Sequence, residues 1–426
     1  MAVQELSARR PGVVRFIGID FDLGALRSAS PRYWAFVSLL LTVLAMGGMA
    51  YVSQLQHGGA VMAMRDNYPW GLWFVDYMYY VGLAAGGLVV YASVHLFGAK
   101  QFHPLARLAV LQAGLLVMMA LLGIVTDMER PWRAIWMLLT PNPTSPFVYT
   151  GSAANIYMIV CFVDLWILIT GKGGEKWAHR MTLIALPLAI YLHTTTAFVL
   201  SMNKSRELWN SAMMTPIFLT SATASGIALL LISAYIFKRL KILEFRPSMF
   251  RSLSTLLATV MIIDQFFLLV EVLTVFWPTS AKPGHVARFS LFFTGPYWFA
   301  LIPVFVLGLG AFALLAPRRT RGLPAVQITA SAMYVVAVYF KRYSLMAMGF
   351  AINPLGQYSP PYAPSLIEVL LALGILALGM LMMTLAAKVL PLKVPEHDEG
   401  EHAVDVDEEL KALDAEASAD VLAEVR

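Results

Sequence analysis

The chain has 426 residues, of which 59% are hydrophobic and only 13% charged, and its mean hydropathy is +0.68. A water-soluble domain carries about 25% charged residues, so this composition excludes a soluble enzyme and puts most of the chain in lipid. The net charge of +5 does not point to nucleic acid, because the basic residues cluster at the ends of apolar runs without an aromatic-interleaved stripe.

Residues 1–32 hold Arg9, Arg10, Arg15, Arg27 and Arg32 with no apolar stretch of the kind that marks a secretion signal. They read as a cytoplasmic N-terminal arm. Ten runs long enough to cross about 30 Å of hydrocarbon follow: 33–55, 71–97, 104–125, 153–170, 180–202, 215–237, 250–277, 290–316, 326–350 and 363–390. Residues 33–391 therefore form one transmembrane domain, and the fold class is an all-α integral membrane protein of about ten helices. The acidic tail, 392–426, reads as a solvated cytoplasmic segment.

Orientation follows from Lys and Arg. The arm and the loops after the even-numbered runs hold most of them, for example Lys172, Lys176 and Arg180, then Lys238, Arg239 and Lys241, then Arg318, Arg319 and Arg321. Both termini are expected in the cytoplasm of a bacterial cell, with the domain in its inner membrane. The opposite loops are longer and rich in Pro, Trp, Tyr and Asn, as a docking face for an extracytoplasmic partner would be.

One repeat is visible. Leu83–Phe97 and Thr223–Phe237 align at an offset of 140, matching Ala84 with Ala224, Gly86 with Gly226, Ser93 with Ser233 and Phe97 with Phe237. Because these runs point the same way, the repeat predicts two parallel four-helix bundles, helices 2–5 and 6–9, with flanking helices.

Ionisable groups at membrane depth cost about 2.5–3.5 kcal/mol each unless paired or hydrated. Here they are Asp76, His95, Asp164, His193, Asp264, Glu271, Lys341, Arg342 and Glu368, with Asp127 at a helix end. At 1.5 Å per residue, Asp76 lies about 8 Å and His193 about 14 Å from the outer end. A wet outer cavity holding His193, Asp76 and Asp127 is expected, with Asp164 and Asp264 leading inward. For Lys341 and Arg342 the bland reading is snorkelling, or pairing with Glu271 or Glu368; the functional one is a proton relay. His95 and His193 differ in depth by about 20 Å, which disfavours a bis-His haem. The single cysteine, Cys161, cannot build a disulfide framework or an iron–sulfur ligand set. No haem or metal is expected in this chain.

Several segments together resemble the NrfD/PsrC family of quinone-interacting membrane subunits, in its ten-helix branch. They are Asn67-Tyr68-Pro69-Trp70-Gly71-Leu72-Trp73; Asp127 with Arg130-Pro131-Trp132-Arg133, where Met128 and Glu129 depart from the family's Leu-Gly; His193–Ala197 with Arg206, Trp209 and Ser221–Gly226; and Lys341-Arg342-Tyr343 with Tyr358-Ser359-Pro360 and Glu368. The resemblance implies a subunit that is not catalytic alone. It would exchange electrons between menaquinone or ubiquinone and a periplasmic ferredoxin-like iron–sulfur partner, which serves a molybdopterin, hydrogenase or multihaem catalytic subunit. It also implies His193, Asp127 and Asp76 as the quinone-reactive groups, Tyr79 and Tyr157 as neighbours of the ring, and Asp164, Asp264, Glu271 and Arg342 as a path for translocated protons. Two other readings stay open: a secondary transporter, since repeats and buried charges also mark those, and a passive membrane anchor.

Overall fold

The structure, a computed structural model, describes residues 13–393 except 173, 207, 278–285, 287–288 and 354–356. Residues 1–12 of the arm and all but the first two residues of the acidic tail lie outside the described residues. Ten long helices are formed: α1 (Pro31–His57), α2 (Leu72–Phe97), α3 (Ala106–Asp127), α4 (Pro146–Thr170), α5 (Gly174–Ser201), α6 (Met214–Arg239), α7 (Pro247–Phe276), α8 (Trp298–Leu315), α9 (Pro324–Phe350) and α10 (Leu366–Val389). Proline opens α1, α4, α7 and α9, where its missing N–H costs nothing. A capping box between Ser365 and Glu368 opens α10.

Among the described residues, nine helices are long and apolar enough to cross a membrane. The remaining long helix, α9, matches them in length but buries Gln327, Ser331, Lys341 and Arg342 inside the protein. The eighth run starts later than the sequence suggests, at Trp298 instead of 290, because Gly295-Pro296 interrupts the helix; proline lacks the N–H and pushes its predecessor out of the helical region. The arm contains a feature that the apolar pattern does not announce: an antiparallel hairpin of β1 (Val13–Phe16) and β2 (Ile19–Asp22).

The helix ends sort by chemistry. At the basic end, the Lys388 ammonium sits 5.6 Å from the Tyr33 ring, and Arg107 donates to the carbonyls of Leu168 and Pro391 at 2.8 and 2.9 Å. The start of α1, the end of α4 and the end of α10 thereby meet. At the opposite end, Gln54 donates to the Asp127 carbonyl at 3.1 Å, and Tyr77, Thr150 and Thr196 hydrogen-bond in a row at 2.8 Å each.

Two four-helix bundles are present, as the repeat predicts. Within the first, α2 packs on α3 and α5, and α4 bridges α3 and α5; within the second, α6 packs on α7 and α9, and α8 bridges α7 and α9. The bundles join chiefly where α2 crosses α6, while α1 and α10 pair and lean on α3. The α2/α6 crossing is built on the repeat itself. A Cβ on Gly86 would strike the backbone of Gly226 and Ile227, and one on Gly226 would strike Gly86 and lie 2.6 Å from the Leu83 carbonyl. Equivalent glycines meeting each other place a pseudo-two-fold axis at their contact. The next residue, Gly87, admits α3 on another side: its Cβ would sit 2.6 Å from the Ala109 carbonyl. Such small-residue contacts substitute for the hydrophobic drive that lipid removes.

Gly86→Leu is therefore expected to lower the melting temperature in detergent by about 10 °C or more and to broaden the size-exclusion peak. Gly48→Leu, at a position with nothing within 4 Å, is expected to do neither. Equal behaviour of the two variants would remove the crossing from the account.

Candidate functional site

The sequence motif Trp70-Gly71-Leu72-Trp73 enters α2, and each residue of it has a separate task. Trp70 stacks on Trp209, 5.3 Å between centroids and 12° between planes. Gly71 leaves room for the Glu368 carboxylate, which a Cβ would strike. The Leu72 amide donates to the Tyr362 hydroxyl at 3.0 Å. Trp73 lines a cavity between α2, α3 and α10.

That cavity is about 20 Å³ and is lined by Met62, Trp73, Asp76, Asp127, Glu368 and Ile375, among others. Three carboxyl groups thus share one small space beneath the aromatic loops. They differ in how they are held. Glu368 accepts the amides of Ala63 and Ser365 at 2.9 and 2.7 Å and also the Tyr362 hydroxyl, so its oxygens are occupied by structural bonds. Asp76, 4% exposed, accepts from the Tyr339 hydroxyl at 3.1 Å. The ring of Tyr339 is held edge-on by Tyr79 at 5.1 Å. Asp127 sits at the last turn of α3, and among the described residues its Oδ1 has no hydrogen-bond partner. Neither has Trp73 Nε1. An unpaired donor and an unpaired acceptor therefore belong to residues lining one cavity. Buried polar atoms rarely stay unpaired, and 20 Å³ is room for about one water.

The sequence places His193 in the same hollow as Asp76 and Asp127. The structure brings the two aspartates together and leaves His193 elsewhere, 1% exposed in the wall between bundles. Its Nδ1 lies 2.7 Å from the Ala189 carbonyl and its Nε2 3.0 Å from the Val81 carbonyl. Two acceptors face the ring, whereas a neutral imidazole has one donor. Arg342 lies beside it, 3.3 Å from where a Cβ on Gly82 would be, and donates to Ser221 Oγ at 2.9 Å. Ser221 and Val81 stand at the same 140-residue offset as the crossing glycines, so His193 and Arg342 occupy corresponding places in the two bundles.

Lys341 pairs with neither Glu271 nor Glu368. Its ammonium is 2.6 Å from Asp264 Oδ1, and both side chains are buried. Asp264 also accepts from Tyr334 at 2.7 Å and Thr220 at 3.1 Å. The rotation of α9 decides this: Tyr334 and Lys341 are seven residues apart, on one face, and both reach Asp264 on α7. Arg342, 0% exposed, rests 4.0 Å above the Phe218 ring, and its Nε and Nη1 are unpartnered among the described residues. Glu271 accepts from Ser211 at 2.8 Å near the loop end of α7.

In the first bundle, Tyr157, Cys161 and Asp164 follow one face of α4, buried throughout. Asp164 accepts from Tyr91 at 2.8 Å through Oδ1, while Oδ2 is unpartnered among the described residues. Tyr157 thus lies with Asp164 and away from the Asp76–Asp127 cavity, contrary to its expected place beside them. Sequence reasoning missed Trp73 as a cavity residue and Tyr339 as the donor to Asp76, and left Glu368 out of the site. The tryptophan is within the motif, but an indole at a helix start reads as belt. Next to Tyr362, whose hydroxyl reaches Glu368, Tyr68 bonds Tyr297, which donates to the Ser359 carbonyl at 2.8 Å. Burial pushes the Tyr68 phenol up to about 12, so it stays protonated.

No cluster of three or more His, Cys, Asp or Glu that could hold a metal occurs among the described residues. Comparison with known proteins accords with the motifs. The profile of the family described as "Polysulphide reductase, NrfD" matches residues 60–354. The chain is 28% identical over 381 residues to the "Hdr-like menaquinol oxidoreductase integral membrane subunit" of Archaeoglobus fulgidus, covering 86% of this chain and 95% of that one. It is 27% identical over 433 residues to a Halobacterium salinarum protein named as a dimethyl sulfoxide reductase membrane subunit, covering 92% and 96%. It is 23% identical over 410 residues to a selenate reductase subunit of Mesobacillus selenatarsenatis, covering 84% and 94%. This ten-helix protein is a multi-pass integral membrane member of the NrfD family.

Proposed function

We propose that the chain is the quinone-reactive membrane subunit of a respiratory oxidoreductase complex, and that the ring binds between Trp73 and Asp127. The observation carrying this reading is the pair of unsatisfied atoms at one cavity: Trp73 Nε1 to donate to a quinone oxygen and Asp127 Oδ1 to accept from a quinol hydroxyl. A hydroquinone gives up two protons with its two electrons, and Asp76 and Asp127 are the two carboxylates placed to take them. The electrons go to an iron–sulfur partner, and the complex is completed by a further catalytic protein. The relatives' names, of a menaquinol oxidoreductase and of two reductases, support that setting. To admit a ring the cavity must widen, and the flexible Met62 and Ile375, which line it, are the side chains that would turn aside.

On the positive-inside pattern we assign the basic end to the cytoplasm and the cavity to the outer face of a bacterial inner membrane. A short helix, Ala134–Leu139, follows Asp127 closely. Trp132, Ile135, Trp136 and Leu139 are all exposed at i, i+3, i+4 and i+7, one continuous stripe. An aromatic patch of this kind suits a protein partner, and it is the surface we assign to the iron–sulfur protein.

Proton translocation is the finer part of the proposal. Tyr157, Asp164 and Tyr91 form a polar column within the first bundle; Asp264, Lys341, Tyr334 and Arg342 form one in the second, with His193 at the seam and Glu271 near the loop end. Buried acids with an open oxygen need water, and water beside acids carries protons. A transporter reading finds less support, since among the described residues the helices that line this cavity run without the breaks that mark transporter sites.

In the purified complex, Asp127→Asn is expected to lower quinol turnover about 100-fold by removing a proton acceptor, and Trp73→Phe about 10-fold by removing one hydrogen bond of about 1.4 kcal/mol. All subunits should still co-purify. Wild-type turnover in both variants would sink the assignment of the cavity. Asp164→Asn is expected to leave turnover in detergent within about two-fold of wild type while abolishing acidification in proteoliposomes. Retained acidification would remove the first-bundle column from the path.

A further inference from the structure

The hairpin β1–β2 takes no part in the cavity or the polar columns. Its strands pair Val13 with Asp22 through Phe16 with Ile19, so the turn is the two residues Ile17 and Gly18. Their φ angles are +50° and +83°. Positive φ at both positions is the primed turn that matches strand twist, and Asn-Gly is its favoured sequence. Isoleucine is a poor choice there, because a β-branched side chain at positive φ crowds its own backbone. Such a residue persists only when something offsets the strain.

Among the described residues, nothing offsets it through the side chain. Ile17 and Phe16 are each 64% exposed, and Val14 is 50% exposed. The protein instead holds the tip by its backbone. The Trp166 indole donates to the Ile17 carbonyl at 2.8 Å, while Thr170 and Lys172 pack against Gly18. The hairpin is thereby pinned to the basic end of α4 with its apolar side chains turned outward.

The surroundings indicate what those side chains meet. Lys172 lies 5.1 Å from the Trp166 ring, Arg180 5.5 Å from Trp177 and Lys388 5.6 Å from Tyr33. Tryptophan and tyrosine carrying Lys and Arg are the composition of the headgroup layer. The hairpin continues this belt. Of its own charges, Arg15 and Asp20 answer each other at 3.7 Å and Asp22 accepts the Ala25 amide at 3.0 Å; Lys172, beneath the tip, is the cation placed to meet an anion.

We propose that the hairpin tip is a lipid-surface contact: Phe16, Ile17 and Val14 enter the headgroup–acyl boundary of the leaflet at the basic end, and Lys172 engages the phosphate of an anionic lipid. The gain from this insertion offsets the strained turn, and the arm is anchored where the first helix enters the membrane.

Site-directed spin labelling tests this on the full chain. Cys161 is the single cysteine and is buried, so Phe16→Cys or Asp20→Cys in a Cys161→Ala background takes one nitroxide. In bilayers of phosphatidylethanolamine and phosphatidylglycerol, the label at position 16 is expected to collide more with oxygen than with a water-soluble nickel chelate, and the label at position 20 to show the reverse. Ile17→Asn, which suits the turn, is expected to keep the melting temperature in detergent or raise it, and to lower the oxygen-to-nickel ratio at position 16 at least about two-fold. Equal nickel access at positions 16 and 20 overturns the proposal, as does a label at position 16 shielded from both reagents, which would mean a protein covers the tip. A ratio at position 16 unmoved by Ile17→Asn also overturns it.

Discussion

The contact of Gly86 with Gly226 fixes the rotation of α2, and most of the site depends on that rotation. With Gly86 set against α6, Gly87 is turned toward α3, where the Ala109 carbonyl comes close to it. Asp76 lies eleven residues before Gly87, about three helical turns, and so shares the face that looks at α3. The same crossing brings Val81 and Ser221 to opposite sides of the seam, where His193 and Arg342 hold them. One pair of missing side chains thus sets the direction of the cavity acid and the place of two buried nitrogen-bearing side chains.

The bundles use their buried charge differently. The second contains an ion pair, Asp264 with Lys341, and a guanidinium that donates to Ser221. In a low-dielectric interior, losing one partner of such a pair costs about 3–5 kcal/mol, so the pair constrains α7 against α9 whatever else it does. The first contains an acid, Asp164, answered by the Tyr91 phenol, which can change its protonation without leaving a partner charge behind. This asymmetry arose on a symmetric frame. The repeat is retained where helices touch and lost where titratable groups sit.

Much of this was legible in the sequence. Apolar runs mark the helices, and Gly86 with Gly226 marks the two bundles before any contact is known. Asp76 and Asp127 are paired by depth, and depth is what a helical rise can supply. What depth cannot supply is azimuth. His193 lies at a suitable height but faces the seam, Tyr157 faces Asp164, and Lys341 meets Asp264 instead of a glutamate, all because of rotations set by neighbours. Glu368 reaches the Ala63 amide across 305 residues, a contact no local pattern encodes. The hairpin was hidden because Ile17-Gly18 lacks the usual turn signal.

The central claim is that a quinone ring binds between Trp73 and Asp127. Photolabelling of the intact complex with a radiolabelled azidoquinone, followed by peptide mapping, tests it most directly. The account predicts adducts within residues 62–76, 123–127 and 371–375, suppressed by excess unlabelled quinone. Competed adducts confined to the second bundle, around Glu271 or Arg342, would contradict it.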